Sequence, residues 1–344
     1  MLYELARPAL FRLDPESANE LALTSARLLS RLPFSGLPGG PLRGPRVTAM
    51  GLEFPNAVGL AAGLDKHAEF IDALGALGFG FLEVGGVTPR AQPGNPRPRV
   101  FRLTAQQAII NRLGFNSVGI ARFVENLRRT RYDGIVGVNL GKNRDTPIER
   151  AADDYIVCLE AVYPYATYAT VNVSSPNTAE LRRLQRADEL DPLLARLTDA
   201  RDRLARKHRR RMPLAVKIAP DLDDEQIAGI ATALVAHGID AVIATNTTVT
   251  RVGVAGASHG GEEGGLSGAP LRPLATAVVR KLAGELRGRV PIIGSGGIMS
   301  AADAREKIDA GASLVQIYTG LVYRGPRLVR EIVEALAAPA AQAA

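Results

Sequence analysis

The strongest constraint in this sequence is a repeat of pattern rather than of letters. From about residue 46 onward, short segments rich in Val, Ile, Gly and Ala alternate with longer stretches of helical spacing. Strands are expected at residues 56–63, 79–86, 135–141, 169–175, 213–219, 241–246, 291–296 and 313–319. Helices are expected between them, among these 68–77, 192–208, 224–237, 270–286 and 301–310. Strands alternating with helices build βαβ units and a parallel sheet. Eight such units predict an α/β chain closed into a (β/α)8 TIM barrel. An open, doubly wound sheet is the alternative, weakened because no G-x-G-x-x-G follows the first strand.

Within the strands a second period appears. In Gly137-Val138-Asn139-Leu140-Gly141 the odd positions are small or polar and the even ones branched, and 170–174 and 215–219 repeat the arrangement. Alternate residues of a strand point to opposite faces. The branched face is expected to pack on helices, and the other to carry Asn139, Asn172 and Lys217 into the barrel mouth. Bulky branched residues normally fill that interior, so a flat polar ligand is expected across the C-terminal ends of the strands.

Residues 1–45 differ in character. Asp14-Pro15 is a helix start, a capping carboxylate followed by proline at the first turn. Apolar residues recur at helical spacing from Ala18 to Leu32, and again from Leu2 to Leu13, where Pro8 is expected to kink or split the helix. A Pro/Gly-rich linker runs from Pro33 to Pro45. The expected division is an N-terminal amphipathic helical extension over 1–45 and a barrel over 46–344. Such helices either cap the barrel or lie on a membrane surface.

Glycine loops follow strands seven and eight, at 294–298 and 316–320, the usual phosphate end of a barrel. Gly264 to Gly268 adds possible backbone contacts, and the glycine-rich stretch before it has the composition of a lid. The loops after earlier strands carry amides: Asn111, Asn172, Asn177 and Asn246. Amides donate and accept at once, which suits a heterocycle of alternating C=O and N–H such as a pyrimidine. Lys66 suits a substrate carboxylate and Lys217 the charge of a reduced cofactor, against the plainer readings of a solvated loop lysine and a structural ion pair. No H-x-H or H-E-x-x-H occurs, so no catalytic metal is expected.

At 46% hydrophobic and 22% charged residues, disorder and coiled coil are excluded as the main architecture. The lone Cys158 excludes a disulfide framework. No apolar run is long enough to span a membrane, and the N-terminus lacks the form of a secretory signal. The net charge of +7 permits nucleic acid, anionic lipid or small anions and selects none. An aldolase using Lys217 as a Schiff-base nucleophile and an RNA-acting barrel remain as alternatives, the latter weakened by the absence of tryptophan.

Together, Ala-Ala-Gly-Leu-Asp-Lys at 61–66, Asn-Arg-Leu-Gly-Phe-Asn at 111–116, Asn-Val-Ser-Ser-Pro-Asn at 172–177, Lys217, Thr245-Asn246-Thr247, the 294–297 loop and Tyr318-Thr319 resemble the quinone-linked, membrane-associated class of the dihydroorotate dehydrogenases, over nearly the whole chain. The resemblance implies FMN as cofactor and oxidation of (S)-dihydroorotate to orotate in pyrimidine synthesis. It implies FMN contacts at Ala62, Gly63, Asn139, Asn172, Lys217, Thr245, Gly268, Gly297, Tyr318 and Thr319. Substrate contacts are implied at Lys66, Asn111, Arg112, Leu113, Gly114, Phe115, Asn172, Asn177, Asn246 and Thr247. Ser175 is implied as the base for the C5 proton, where soluble classes use cysteine, with the C6 hydride passing to flavin N5. A quinone tunnel under the N-terminal helices is implied at Asn19, Arg102 and Tyr318. The implied partners are dihydroorotate or orotate, a membrane quinone and an anionic membrane surface, with no nucleic acid and no obligate protein partner. A monomer, peripheral on the cytoplasmic side of a bacterial membrane, is expected.

Two positions depart from the family pattern. Gly86 stands where a threonine usually follows Glu-Val-Gly, and Asn19 where a histidine is common. The basic run from Arg201 to Arg211 reads as a solvated helix end; it would serve lipid adhesion only on the same side as residues 1–32. Removal of residues 1–40 is expected to spare flavin reduction and to impair quinone reduction.

Overall fold

The computed structural model describes residues 2–30 and 37–338. Helices α1 (Leu2–Leu10) and α2 (Pro15–Leu29) come first. The Asp14 carboxylate caps α2 by accepting from the Glu16 and Ser17 backbone N–H groups. Pro8 lies inside α1 without splitting it, and the helix ends just beyond, at Leu10. Leu32 and the linker residues 33–36 fall outside the described residues. A short antiparallel hairpin, β1 (Val47–Ala49) with β2 (Leu52–Phe54), then leads to β3 (Val58–Leu60), α3 (Ile71–Gly75) and β4 (Phe81–Val87).

Strands β5 (Val100–Leu103) and β6 (Ala108–Asn111) and helix α4 (Ile120–Arg129) precede β7 (Ile135–Leu140). The pattern continues through α5 (Ala151–Val162), β8 (Tyr168–Asn172), α6 (Ala187–His208), β9 (Leu214–Ile218), α7 (Asp224–Ala236) and β10 (Ala241–Ala244). It closes with β11 (Gly265–Gly268), α8 (Arg272–Leu286), β12 (Ile292–Ser295), α9 (Ala301–Asp309), β13 (Leu314–Ile317), α10 (Thr319–Arg324) and α11 (Arg327–Ala337).

Eight parallel strands close the barrel in the order β3-β4-β7-β8-β9-β10-β12-β13. All eight coincide with expected strands, with ends a few residues shorter. The period-two pattern sorts the faces as expected. Val138, Leu140, Val171 and Val216 join the core between sheet and helices. Phe81, Tyr168, Ile243 and Leu314 fill the lower interior, and Phe54 of the hairpin plugs it from below. Small residues make that filling possible. A Cβ on Gly59 would lie 2.2 Å from the Phe81 ring, and one on Gly137 2.0 Å from the Tyr168 ring.

The sequence reading did not foresee a three-stranded antiparallel sheet, β5-β6-β11, above the barrel. Gly265–Gly268, expected as a phosphate-side loop, is instead a strand paired with Ala108–Asn111. The stretch before it is anchored by Val254, buried against Phe101, Leu103 and Leu266.

The basic run does not share a side with the N-terminal helices. The C-terminal end of α6 feeds the N-terminal end of β9, at the barrel bottom. Helix α1 instead bonds α10, beyond the C-terminal end of β13, through Tyr3 to the Val322 carbonyl and Arg7 to the Tyr323 carbonyl. Arg201 and Arg211 pair with Asp240, and Arg210 donates to the Ala166 and Tyr163 carbonyls. These charges fasten the barrel bottom.

Gly137→Ala is expected to destabilise the fold by about 1–3 kcal/mol, because the Tyr168 ring has no room to yield without strain. A thermal unfolding midpoint equal to that of the unmodified protein would contradict this packing.

Candidate active site

A cavity of about 680 Å³ opens at the C-terminal ends of the barrel strands and runs out beneath α1 and α2. At its floor lies Glu83, fully buried within an otherwise apolar strand. Four donors converge on its carboxylate: Asn139 Nδ2 at 2.8 Å, Gln316 Nε2 at 2.9 Å, and the Tyr168 and Thr170 hydroxyls at 3.1 Å. Burial raises the Tyr168 pKa well above its usual value, and the Glu83 charge reinforces the shift, so Tyr168 remains a donor.

From Glu83 a hydrogen-bonded chain rises to the mouth. Asn139 Oδ1 accepts from Asn172 Nδ2 at 3.0 Å. Asn172 Oδ1 accepts from the Ser174 hydroxyl at 2.9 Å and its N–H at 3.2 Å. Ser174 Oγ accepts from Asn246 Nδ2 at 3.0 Å, and Asn246 Oδ1 from the Thr247 N–H at 2.7 Å. Each amide is thereby oriented, and the array is held before any ligand arrives.

Two cations stand in the same cavity without acceptors. Neither the Lys66 nor the Lys217 ammonium group hydrogen-bonds another described residue, although the Lys217 backbone is paired within the barrel sheet. Burial lowers the Lys66 pKa to about 8, with Arg99 adding to the fall and Glu16 opposing it. Burial also lowers that of Lys217, against the pull of Glu83. Acceptors lack donors too: Asn177 Oδ1 and Gln316 Oε1 are buried and unpartnered. Asn177 is steered by its Nδ2, which donates to the backbone and side-chain oxygens of Asn111. Ser175 Oγ accepts from the Asn177 N–H at 3.3 Å, and no described Asp, Glu or His hydrogen-bonds it.

The glycine end is built by close approach. A Cβ on Gly297 would lie 2.3 Å from the Arg272 Cα, and one on Gly268 2.2 Å from the Gln107 carbonyl oxygen; both residues also have positive φ. Thr319 Oγ1 donates to Ser267 Oγ at 2.8 Å, tying the loop after β13 to β11.

The cavity wall includes every residue that the resemblance assigned to cofactor, substrate, base or tunnel except Arg112. The Arg112 guanidinium turns outward, paired with Glu262 at 2.7 Å and stacked on Phe101. Asn19 faces the outer part of the cavity. Arg102 does so as well, while donating to the Leu10, Phe11 and Leu13 carbonyls and so closing the turn between α1 and α2. At Gly86 a Cβ would lie 2.7 Å from Phe115 and 3.1 Å from Asn139 Oδ1, so the phenyl ring occupies the space a side chain would need.

Sequence reasoning missed Arg182. Its guanidinium donates to the Ser174 carbonyl at 3.0 Å and the Thr247 carbonyl at 2.8 Å, and pairs with Asp221 at 2.7 Å. Asp221 also receives the Thr248 hydroxyl and the Val249 N–H. One cation therefore clamps the Ser175 loop to the start of the 247–264 segment. Glu83 was missed as well; its signal was a lone charge in the buried run Phe81-Leu82-Glu83-Val84.

A closed parallel barrel with a cavity at the C-terminal ends of its strands, where α/β-barrel enzymes place their active sites, puts the protein among the barrel enzymes. The comparisons narrow the class. The sequence model of the family Dihydroorotate dehydrogenase matches residues 46–339. A relative from Ralstonia nicotianae named dihydroorotate dehydrogenase (quinone) is 59% identical, covering 98% of each chain. One of the same name from Thiobacillus denitrificans is 59% identical over 98% of this chain and 100% of its own. The crystal structure of the Eimeria tenella dihydroorotate dehydrogenase with ferulenol superposes with a TM-score of 0.86 at 39% identity, covering 94% of this chain and 90% of that one. The chain belongs to the dihydroorotate dehydrogenase family.

Arg182→Met should release the 247–264 segment and speed tryptic cleavage after Arg251, whose guanidinium is otherwise engaged by the Glu262 and Gly264 carbonyls. An unchanged cleavage rate would show that the clamp does not restrain this segment.

Proposed function

We propose that this chain oxidises (S)-dihydroorotate to orotate with bound FMN and passes the electrons to a membrane quinone, serving pyrimidine synthesis. The observation that carries the reading is the single cavity, which joins the amide-lined barrel mouth to a crevice beneath two helices. Family membership and the quinone designation of the relatives support it.

The residues present fit FMN. Lys217 and Gln316 Oε1 line the cavity without hydrogen-bond partners there. Gly268, Gly297 and Thr319 line the end where backbone N–H groups suit a phosphate. These residues, with Ala62, Gly63, Asn139, Asn172, Thr245 and Tyr318, are the proposed cofactor contacts. Bound FMN supplies an acceptor for a hydride.

For the substrate, Lys66 pairs with the carboxylate, and Asn177 Oδ1 accepts a ring N–H. Asn111, Asn172, Asn246 and Thr247 hold the remaining ring polar groups, and Leu113, Gly114 and Phe115 shape the loop over them. Arg112 is proposed to act through its backbone, since its side chain points away. Ser175 Oγ takes the C5 proton while its own hydroxyl proton passes to water in the cavity. The Asn177 N–H at 3.3 Å stabilises the charge that builds on Oγ between the two transfers. Loss of the C5 proton and the C6 hydride leaves the C5=C6 double bond of orotate.

On the quinone side, Asn19, Arg102 and Tyr318 face the outer cavity. Leu5, Leu21 and Leu28 are 80%, 50% and 60% exposed on α1 and α2, an apolar face suited to a bilayer surface. Among the described residues no helix is long and apolar enough to cross a membrane. The proposal includes a peripheral monomer at the cytoplasmic face, with residues 1–45 as its membrane and quinone segment and 46–344 as its FMN barrel.

Anaerobic stopped-flow with dihydroorotate, followed separately by quinone, NAD or fumarate, tests substrate and acceptor together. Flavin bleaching by dihydroorotate and recovery with quinone alone are expected. No bleaching, or recovery only with NAD or fumarate, would refute the reading. Ser175→Ala should slow bleaching by about 10²–10⁴-fold with FMN retained; unchanged bleaching would remove Ser175 from the proton step.

Lys66 gives a pH dependence. Its lowered pKa of about 8 leaves it cationic below that pH and neutral above. Orotate affinity is expected to hold below about pH 8 and to fall as the pH rises through it. Lys66→Met should abolish that fall, and a pH-independent affinity in the unmodified protein would exclude the lysine–carboxylate pair.

A further inference from the structure

We propose that the ion pair between Glu16 and Arg99 is a strut through which α2 positions the dihydroorotate loop, so that the quinone-side helix is also part of the substrate site. The inference rests on the proposed function for its ligand and on the following contacts for its geometry.

Arg99 is buried, and nearly all of its donors are used. Its Nε lies 3.1 Å from both Glu16 carboxylate oxygens and its Nη2 2.9 Å from one, the fork geometry of a strong arginine–carboxylate pair. Its Nη1 donates to the Pro93 carbonyl at 2.7 Å and the Asn95 carbonyl at 2.9 Å. Arg99 thereby gathers the 93–99 segment around one point on α2. Arg97 adds a second cation to Glu16 at 3.2 Å.

That segment holds the substrate loop. The Asn95 N–H donates to the Leu113 carbonyl at 3.0 Å, and Asn95 Nδ2 to the Arg112 carbonyl at 2.8 Å. The Arg112 N–H donates back to the Arg99 carbonyl at 2.8 Å. A Cβ on Gly114 would lie 2.8 Å from the Asn95 amide, so the loop rests directly on it. A continuous path of strong contacts thus runs Glu16–Arg99–Asn95–Arg112/Leu113 and ends at the loop whose Leu113 and Gly114 line the same cavity as Lys66. The charges of the pair also reach Lys66, with Glu16 favouring and Arg99 opposing its protonation.

A partly buried ion pair broken on one side leaves the other charge uncompensated. With Glu16 gone, Arg99 must find water or another acceptor, and the guanidinium that holds the Pro93 and Asn95 carbonyls is no longer fixed to α2. This revises the expectation that the N-terminal segment is separable from dihydroorotate chemistry: deleting residues 1–40 removes Glu16 and disturbs both sites.

The test uses the full-length, FMN-loaded protein with Glu16→Gln, Arg99→Lys and, as control, Glu20→Gln. Glu20 carries the same charge on the same helix, is exposed on the outer cavity wall beside Asn19, and forms neither a hydrogen bond nor an ion pair with Arg99, whose carboxylate partner is Glu16. Orotate dissociation constants are read from the flavin absorbance, and bleaching rates are measured with dihydroorotate in the absence of quinone. Glu16→Gln is expected to weaken orotate binding by about five- to tenfold and to raise the dihydroorotate concentration for half-maximal bleaching in parallel. Arg99→Lys, which keeps the charge but loses the fork, is expected to weaken it by a smaller factor, and Glu20→Gln to leave it unchanged. Orotate affinity within twofold of the unmodified protein in both strut variants would overturn the proposal, as would an equal loss in Glu20→Gln.

Hydrogen exchange of residues 108–115 in Glu16→Gln gives a ligand-free readout. Faster exchange is expected, and unchanged exchange overturns the strut. Failure of the unmodified protein to oxidise dihydroorotate would instead refute the proposed function and leave the exchange result to judge the strut alone.

Discussion

The site depends on one buried carboxylate. Glu83 accepts four hydrogen bonds at the barrel floor, and because a carboxylate only accepts, each neighbour must present a donor. That requirement sets the Asn139 amide with its nitrogen down and its oxygen up. The choice then passes to Asn172, to Ser174 and to Asn246. An amide array without such an anchor could sit in many flipped combinations of similar energy. With it, acceptors and donors at the cavity mouth hold one pattern, and the reorganisation that ligand binding would otherwise demand is largely made in advance.

The glycines and aromatics of the lower barrel serve the same end. Tyr168 donates to Glu83 and also fills the space left by Gly137, so one side chain is both packing and polar partner. Phe81 fills the space over Gly59 in the same layer. This dry floor surrounds Glu83 with low-dielectric walls, which strengthens its hydrogen bonds and makes any missing donor costly. The apolar lower layer and the polar middle layer are therefore interdependent.

What could be read from the sequence follows from how local each signal is. The eight barrel strands and the inward set of Asn139, Asn172 and Lys217 were legible because a period of two is carried by adjacent residues. The glycine end was legible because its loops follow consecutive strands. The β5-β6-β11 sheet was not: β11 is the glycine-rich segment Gly265–Gly268, and its partner lies far away in the chain at Ala108–Asn111. The outward turn of the Arg112 side chain was not legible for a related reason. Its motif neighbours line the cavity, but its side chain is claimed by Glu262, a residue of the distant 247–264 segment. No motif or spacing in the sequence marks Arg182 or Arg99. Their roles exist only where two loops converge on one guanidinium, and no spacing within either loop records that.

The distribution of charge shows where the protein holds stability in reserve. In the basic run at the end of α6, Arg201 and Arg211 share Asp240 and Arg210 is held by backbone carbonyls, so these three are already used in the fold. Lys66 and Lys217 are different: burial disfavours their charged forms, and no described residue hydrogen-bonds either ammonium group. A desolvated cation without a partner opposes folding. Dihydroorotate and a phosphorylated flavin, if they bind as proposed, bring the missing acceptors, and a ligand that binds only the folded state stabilises it by mass action. The same two side chains that cost the empty protein stability would then make the loaded one selective for anions, since a neutral analogue would leave the penalty in place.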